Sequence, residues 1–255
     1  MKLTALKSED VNNHLGECLN FRINGTPERK RYSSYDYCYN YFRDFYVDGN
    51  KENLTNGNNL HMGCLHLGHY LASWGMYRGS GALHRRSFRI YEGLIKRISE
   101  EVTLWEIDVE DYCYSRNDAN IDTIKAINDF KEDVKKLLSD DYNEIKTYKC
   151  INFDSKLVHK SLSVSDILSS KIMMGVFGCV PAFDSYFKSS LVNNKFNEKL
   201  FNEIYDFYDK HKILLDKYQK DFKTLDVNGG LTQHTYKKAK MIDVIGFRIK
   251  EQKEG

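Results

Sequence analysis

Proline is nearly absent from this chain. Only two prolines occur in 255 residues, whereas average usage would give about thirteen. Because proline disrupts a helix interior, a chain that lacks it can form long uninterrupted helices. Apolar residues also recur every three or four positions, most clearly over 200–222. The sequence therefore predicts an all-α, mostly helical fold.

Capping residues set the expected helix limits. Asn197 can cap the most regular helix, and Pro181 suits the first turn of a helix that opens at position 180. Ser163 followed by Asp166 has the spacing of a capping box, and Gly175 is expected to stop that helix. The predicted helices cover 34–46, 60–76, 87–102, 122–138, 163–175, 180–191, 197–222 and 235–249.

The chain is expected to form a single helical domain over 1–255. The helical period lapses over 139–161, so a two-lobed bundle would divide near that segment. Runs of alternating β-branched residues do not recur, and only 149–153 suggests a short extended stretch. No sheet is therefore expected.

Composition limits the classes of function. Hydrophobic residues make up 41% and aromatic residues 13%, which is enough for a buried core and argues against disorder. The net charge of +2 argues against a chain that is basic overall, so any nucleic-acid surface must come from local clusters at 29–31, 85–86 and 237–240. No signal peptide or bilayer-spanning segment is recognisable, and the chain is expected to be cytoplasmic.

Histidines and cysteines raise the question of a metal. His61, His66 and His69 lie with Cys64 inside nine residues. On a helix His66 and His69 would share a face while Cys64 points elsewhere, and no further ligand follows at a suitable spacing. We expect no metal and no cofactor, and we expect the histidines to pack in the core or to line a pocket.

The segment 175–184 reads GVFGCVPAFD, a glycine-bounded turn followed by an acid at the start of a helix. Such a turn can present backbone N–H groups to a phosphate, for example in a DNA backbone. Alternatively, Gly175 and Gly178 simply end a helix while Asp184 complements the dipole of the next one. The sequence leaves both interpretations open.

This segment resembles the helix-hairpin-helix superfamily of DNA glycosylases. Those enzymes bind phosphate with a glycine-containing hairpin and place a catalytic aspartate at a helix start, in some members within a stretch similar to Val-Pro-x-Asp. The resemblance implies that Asp184 is catalytic. Bifunctional members carry a lysine just after the hairpin, whereas Lys171 lies before it here. The resemblance therefore implies a monofunctional enzyme.

Three further stretches, 71–80, 178–182 and 240–243, resemble a group of uncharacterised bacterial proteins. That group is similar to a phage-defence DNA glycosylase acting on modified cytosine. The resemblance extends over most of the chain, and it implies a role in antiviral defence.

The end of the apolar helix carries a second candidate site, WGMYRGSG over 74–81. Trp74 or Tyr77 could stack on an extruded base, and Arg78 could hold a phosphate. Alternatively, Trp74 belongs to the core and Arg78 is a solvated helix end. Arg78 and His84 also have a spacing similar to the Arg-x(4–6)-His motif of HEPN-type ribonucleases, which cleave RNA without a metal.

These interpretations favour a DNA glycosylase that flips a modified base out of double-stranded DNA, phage DNA included, and hydrolyses its bond to deoxyribose. Asp184 is the expected catalytic residue. The expected base pocket consists of Trp74, Tyr77, Arg78, His66 and His69. The expected phosphate contacts are Gly175, Phe177, Gly178, Arg85 and Arg86. The alternatives are a metal-independent ribonuclease that uses Arg78 and His84, and a non-catalytic helical module that binds nucleic acid or protein.

Overall fold

A computed structural model describes residues 2–24, 33–78, 83, 86–113, 119–144 and 164–254. Nine α-helices and one two-stranded hairpin lie in these ranges, so the all-α prediction is confirmed. The elements are α1 (Ser8–Asn24), α2 (Ser33–Val47), α3 (Gly57–Ser73), α4 (Glu92–Glu100), α5 (Ala119–Glu144), α6 (Asp166–Phe177), α7 (Ser185–Ser190), α8 (Glu198–Gln219), β1 (Lys223–Leu225), β2 (Leu231–Thr235) and α9 (Lys238–Glu254).

The segments with the longest apolar periodicity are helices in the structure. Helix α8 starts where the pattern predicted, and the Asn197 side chain caps it by accepting the Leu200 N–H. Helix α1 was not predicted. The inferred lobe boundary over 139–161 and the extended stretch at 149–153 fall largely or wholly outside the described residues.

Two predicted boundaries around 175–184 are wrong. Helix α6 does not stop at Gly175 but continues to Phe177, and Gly178 ends it with a left-handed φ of 66°. The next helix does not open at Pro181, because Asp184 is its N-cap and helical geometry begins only at Ser185. Residues 178–184 are therefore a non-helical link between two helices.

The expectation of no sheet is also wrong, because β1 and β2 pair as an antiparallel hairpin. Its turn is organised by Asp226, whose Oδ1 accepts the N–H groups of Asn228 and Gly230, each at 2.8 Å. Asn228 followed by Gly229 is the dipeptide that favours a tight hairpin turn. The strands themselves are only three and five residues long, too short to show an alternating pattern.

A buried ionic network ties the hairpin to the helices. Arg22 of α1 donates to Asp36 of α2 at 2.9 Å, and Tyr236 donates to the other carboxylate oxygen of Asp36 at 2.7 Å. The Leu225 N–H of β1 also donates to Asp36, at 3.0 Å. All of these residues are buried, so their hydrogen bonds join four segments in a region of low dielectric constant, where such bonds are strong.

Helix α9 begins where a distant side chain caps it. The Asp108 carboxylate accepts the N–H groups of Lys238 and Ala239, both at 2.9 Å. The Lys237 ammonium lies beside the same region and donates to the Ile107 carbonyl at 2.8 Å. This tertiary cap fixes the start of the helix that supplies three of the five charged residues of the pocket described below.

Glycines allow the helices around that pocket to approach closely. A Cβ at Gly175 of α6 would lie 2.6 Å from Cδ1 of Tyr70 on α3, and a Cβ at Gly246 of α9 would lie 2.6 Å from Cδ2 of Phe187 on α7. Real Cβ atoms do not come this close to ring carbons. The two glycines therefore set the spacing of α3 against α6 and of α7 against α9.

None of the described helices has the length and apolarity that crossing a bilayer requires.

Candidate active site

A pocket opens where the end of α3, the helix α6, the 178–184 link and the helix α9 meet. Its charged lining residues are Lys171, Asp184, Lys240, Asp243 and Arg248. Its aromatic lining residues are Tyr70, Trp74, Phe187 and Phe247. Carboxylates, ammonium groups and aromatic rings therefore line one cavity.

Asp184 has two functions in this geometry. Its Oδ1 accepts the N–H groups of Tyr186 and Phe187 at 3.0 and 3.1 Å, which caps α7. Its Oδ2 lies 3.3 Å from the Lys171 ammonium, and 20% of the side chain is exposed. The cap thus holds the carboxylate in one orientation while its second oxygen remains at the pocket surface.

Lys171 is the one charged residue within the buried part of α6. Burial lowers the pKa of its ammonium, and the negative charge of Asp184 acts in the opposite direction. Its Nζ also donates to the backbone carbonyl of Trp74 at 2.9 Å. Lys171 therefore links the acid of the pocket to the aromatic residue at the end of α3.

A second pair of opposite charges comes from α9. The Lys240 ammonium donates to Oδ2 of Asp243 at 2.9 Å, and Oδ1 of Asp243 accepts the Ala182 N–H at 3.1 Å. Burial raises the pKa of the Asp243 carboxyl; Lys240 opposes that rise, and the nearby charge of Asp184 adds to it. Asp243 thus anchors the link that carries Asp184.

Both ammonium groups lie close to the Trp74 ring. Nζ of Lys240 is 5.3 Å from the ring centroid and Nζ of Lys171 is 5.9 Å away. The edge of Trp74 meets Phe247 at 6.4 Å between centroids. The electron-rich face of an indole is attractive to cations, so these contacts stabilise the pocket as it stands.

The enclosed part of the pocket has a volume of about 20 Å³. This is enough for one water molecule and far too small for a nucleobase. Arg248 lies at the rim, where it forms partly exposed ion pairs with Glu17 and Glu251. Exposed ion pairs contribute about 0–1 kcal/mol, so opening this side of the pocket costs little electrostatic energy.

Of the residues predicted to form the base pocket, only Trp74 lines the same pocket as Asp184. The Tyr77 hydroxyl instead shares a hydrogen bond of 2.8 Å with Tyr91, and burial raises the pKa of Tyr77 to about 12. His66 stacks on Tyr41 with ring centroids 4.4 Å apart. His69 and Arg78 are exposed and do not line the pocket.

The prediction that Gly175, Phe177 and Gly178 contact a phosphate is wrong. All three are buried at the end of α6. The Gly178 N–H donates to the carbonyls of Met173 and Met174 at 3.1 and 2.9 Å. These residues therefore have no backbone N–H group at the surface for a phosphate, and the glycine at 178 serves as a helix C-cap.

The basic clusters that could form a nucleic-acid surface differ in what the structure shows of them. Arg85 and the 29–31 cluster lie outside the described residues, as does His84. Arg86 is half-buried and does not line the pocket. In the 237–240 cluster, Lys238 pairs with Glu110 and Asp216, so its charge is already compensated within the protein.

We expect Gly175→Ala to destabilise the protein by about 1–3 kcal/mol, the usual cost of overpacking a core. Alanine favours a helix interior by about 1 kcal/mol, but its Cβ would meet the fixed Tyr70 ring. Gly63→Ala is the matched control, because a Cβ there would contact Ile95 at an ordinary 3.4 Å. Chemical denaturation of both variants measures the difference. Equal stabilities would contradict the close approach of α6 to Tyr70.

Sequence reasoning did not find Lys171, Lys240 or Asp243 as pocket residues. Lys171 was noted only for preceding the turn, although a lone charge within an apolar helix indicates a buried partner. Lys240 and Asp243 are three residues apart, which places them on one helix face. Their position beside Asp184 depends on how α9 packs, which the sequence does not show.

Within the part of the chain that the structure describes, no cluster of three or more His, Cys, Asp or Glu side chains could hold a metal ion. No protein-family model, curated protein or solved structure matches this chain.

Proposed function

We propose that the protein is a monofunctional DNA glycosylase that removes a modified base from double-stranded DNA, such as phage DNA, and leaves an abasic site. The observation that carries this proposal is the Asp184 carboxylate, which is fixed by backbone N–H groups at the surface of a pocket walled by aromatic rings. The fold that this proposal implies is that of the helix-hairpin-helix glycosylases, with a 178–184 link in place of the short hairpin.

The carboxylate supplies the charge that the reaction needs. Breaking an N-glycosidic bond generates positive charge on the deoxyribose, as in glycoside hydrolysis. A preoriented carboxylate stabilises such charge without having to reorganise during the reaction. In our proposal Asp184 does this and orients the attacking water, and the enclosed space beside it has room for one water molecule.

The rest of the pocket suits the leaving base. A departing base gains negative charge, which the ammonium groups of Lys171 and Lys240 would offset. Trp74 and Phe247 offer ring faces and edges to an extruded base, which base-flipping enzymes hold between aromatic side chains. Because the pocket is too small in this state, the base must displace rim residues such as Arg248 as it enters.

The sequence resemblances support the same site. The three stretches similar to the bacterial glycosylase-like group lie far apart in the chain. Each contributes to the pocket: Trp74 from 71–80, Ala182 from 178–182, and Lys240 with Asp243 from 240–243. This convergence supports a site whose parts act together.

The proposal is tested by incubating the protein with unmodified DNA, with phage DNA that carries modified bases, and with RNA. We expect breaks in the modified DNA only after mild alkali, because alkali cleaves abasic sites that the enzyme leaves intact. RNA fragments before alkali would instead establish a ribonuclease. Unchanged nucleic acids in all three reactions would favour a non-catalytic binding module. Either of these results would overturn the proposal.

A further inference from the structure

We propose that Asp243 is a positioning residue of this site, one that holds Asp184 and the Lys240 ammonium in place relative to the Trp74 ring. The inference rests on the proposed function. Its basis is one carboxylate that uses both oxygens across the pocket: Oδ1 accepts the Ala182 N–H at 3.1 Å and Oδ2 accepts from Lys240 at 2.9 Å.

The first contact fixes the acid. Ala182 lies two residues before Asp184, in the link that no helix holds in place. The link is also held at Cys179, whose carbonyl accepts the Tyr112 hydroxyl, and from α6, where Oγ of Ser170 accepts the Phe183 N–H at 2.9 Å. Asp243 supplies the corresponding contact from α9. Loss of the carboxylate therefore leaves the pocket side of the link without its anchor.

The second contact fixes a positive charge over the aromatic wall. The Lys240 ammonium that Asp243 holds lies 5.3 Å from the Trp74 ring centroid and 4.8 Å from that of Tyr35. The Lys240 side chain is only 4% exposed, and its ammonium forms an ion pair with Asp243. A change in the position of the Asp243 carboxylate would shift the Lys240 ammonium. The positive charge beside a bound base would then shift as well.

The carboxyl of Asp243 is open to the pocket and not sealed in the core, because 13% of its side chain is exposed. The titratable groups that face it are Lys240 on its own helix, Asp184 in the link, Lys171 on α6 and Tyr70 on α3. Burial raises its pKa. Its charge is therefore lost at a higher pH than that of an ordinary aspartate.

Two substitutions separate the two contacts. Asp243→Asn retains an oxygen that can accept the Ala182 N–H, but it has no charge to hold Lys240. Asp243→Ala removes both contacts. Glu203→Gln is the matched control, because Glu203 is also buried and binds two backbone N–H groups, those of Val192 and Asn193, without lining the pocket.

The kinetic test measures kcat and KM for base release as a function of pH. We expect kcat to fall about 10-fold in Asp243→Asn and about 100-fold in Asp243→Ala, since a misplacement of about 1 Å has effects of this order. KM should change little. The acid side of the kcat profile should move to lower pH in Asp243→Asn, because the carboxyl that titrates there is gone. Wild-type kcat and an unshifted profile in that variant, alongside an unaffected Glu203→Gln, would overturn the inference.

A second measurement does not depend on catalysis. Tryptophan fluorescence of the wild-type protein should change with pH as the Asp243 carboxyl loses its charge and no longer holds the Lys240 ammonium near the Trp74 ring, and the change should lie at a higher pH than for an ordinary aspartate. The change should vanish in Asp243→Asn and in Trp74→Phe, and it should persist in Glu203→Gln. An unaltered titration in Asp243→Asn would overturn the inference. Loss of the titration together with an absence of base release in the wild type would refute the glycosylase and leave the positioning contacts established.

Discussion

Asp184→Asn should reduce base release by at least about 100–1000-fold, the loss seen when one preorganised electrostatic group is removed from an active site. The variant should stay folded, because asparagine and aspartate are comparable helix N-caps. It should lose some stability, because the buried Lys171 ammonium, 3.3 Å from the Asp184 carboxylate, loses its countercharge. The asparagine oxygen can still accept the Tyr186 and Phe187 N–H groups that Oδ1 binds. Single-turnover base release and thermal unfolding, measured on one preparation, separate the two effects.

The matched control is Asn197→Asp, the reverse exchange at the N-cap of α8. Asn197 accepts the Leu200 N–H at 3.4 Å and does not line the pocket. That variant should release base as fast as wild type. A well-folded Asp184→Asn protein with full activity would exclude Asp184 from the mechanism.

The largest effect on stability is expected from Asp36→Asn. Removing one charge of a buried ion pair costs about 3–5 kcal/mol, because the partner remains buried and uncompensated. The Arg22 and Asp36 side chains are 7% and 0% exposed and lie 2.9 Å apart. Asparagine also cannot accept at both oxygen positions, so the hydrogen bond from either Tyr236 or Leu225 would be lost. Urea denaturation at neutral pH measures the change.

Asp133→Asn provides the comparison, since it removes the same charge from a pair with Arg97 at 2.7 Å in which the carboxylate is 40% exposed. Its cost should stay below about 1 kcal/mol. Equal costs for the two variants would show that the buried network contributes no more to stability than a surface pair does.

Except for α1, the long helices could be predicted, because each repeats an apolar pattern over several turns. Helix α8 is the clearest example, with its cap at Asn197 and its buried residues at helical spacing. The β1 and β2 hairpin was missed because its strands are too short for a pattern to develop. Only the Asn228 and Gly229 pair signalled it, and a dipeptide alone does not reveal which segments flank it as strands.

The link at 178–184 shows where local sequence fails. A glycine that exposes N–H groups to a ligand and a glycine that ends a helix have the same local signature. In the structure Gly178 ends a helix, because its N–H donates to the carbonyls of Met173 and Met174. Gly175 is required for a different reason, the approach of Tyr70 from a helix more than a hundred residues earlier.

Only part of the candidate site could be predicted from the sequence, because the rest depends on tertiary contacts. Asp184 and Trp74 stand out locally, the first as an acid before a helix and the second as an aromatic at a helix end. Lys171, Lys240 and Asp243 acquire meaning only from the packing of α6 and α9 against α3 and the link. The sequence shows which side chains can carry charge or stack on a base. Which of them lie in one pocket depends on how four segments pack in the fold.

The central claim is that this pocket hydrolyses an N-glycosidic bond in DNA. It is tested most directly by mass spectrometry of a reaction with phage DNA that carries modified bases. We predict free modified base and abasic sites in equal amounts, in strands that stay unbroken until alkali is added, and neither product with Asp184→Asn. Intact bases with the wild-type protein, or nucleotides released by backbone cleavage, would contradict it.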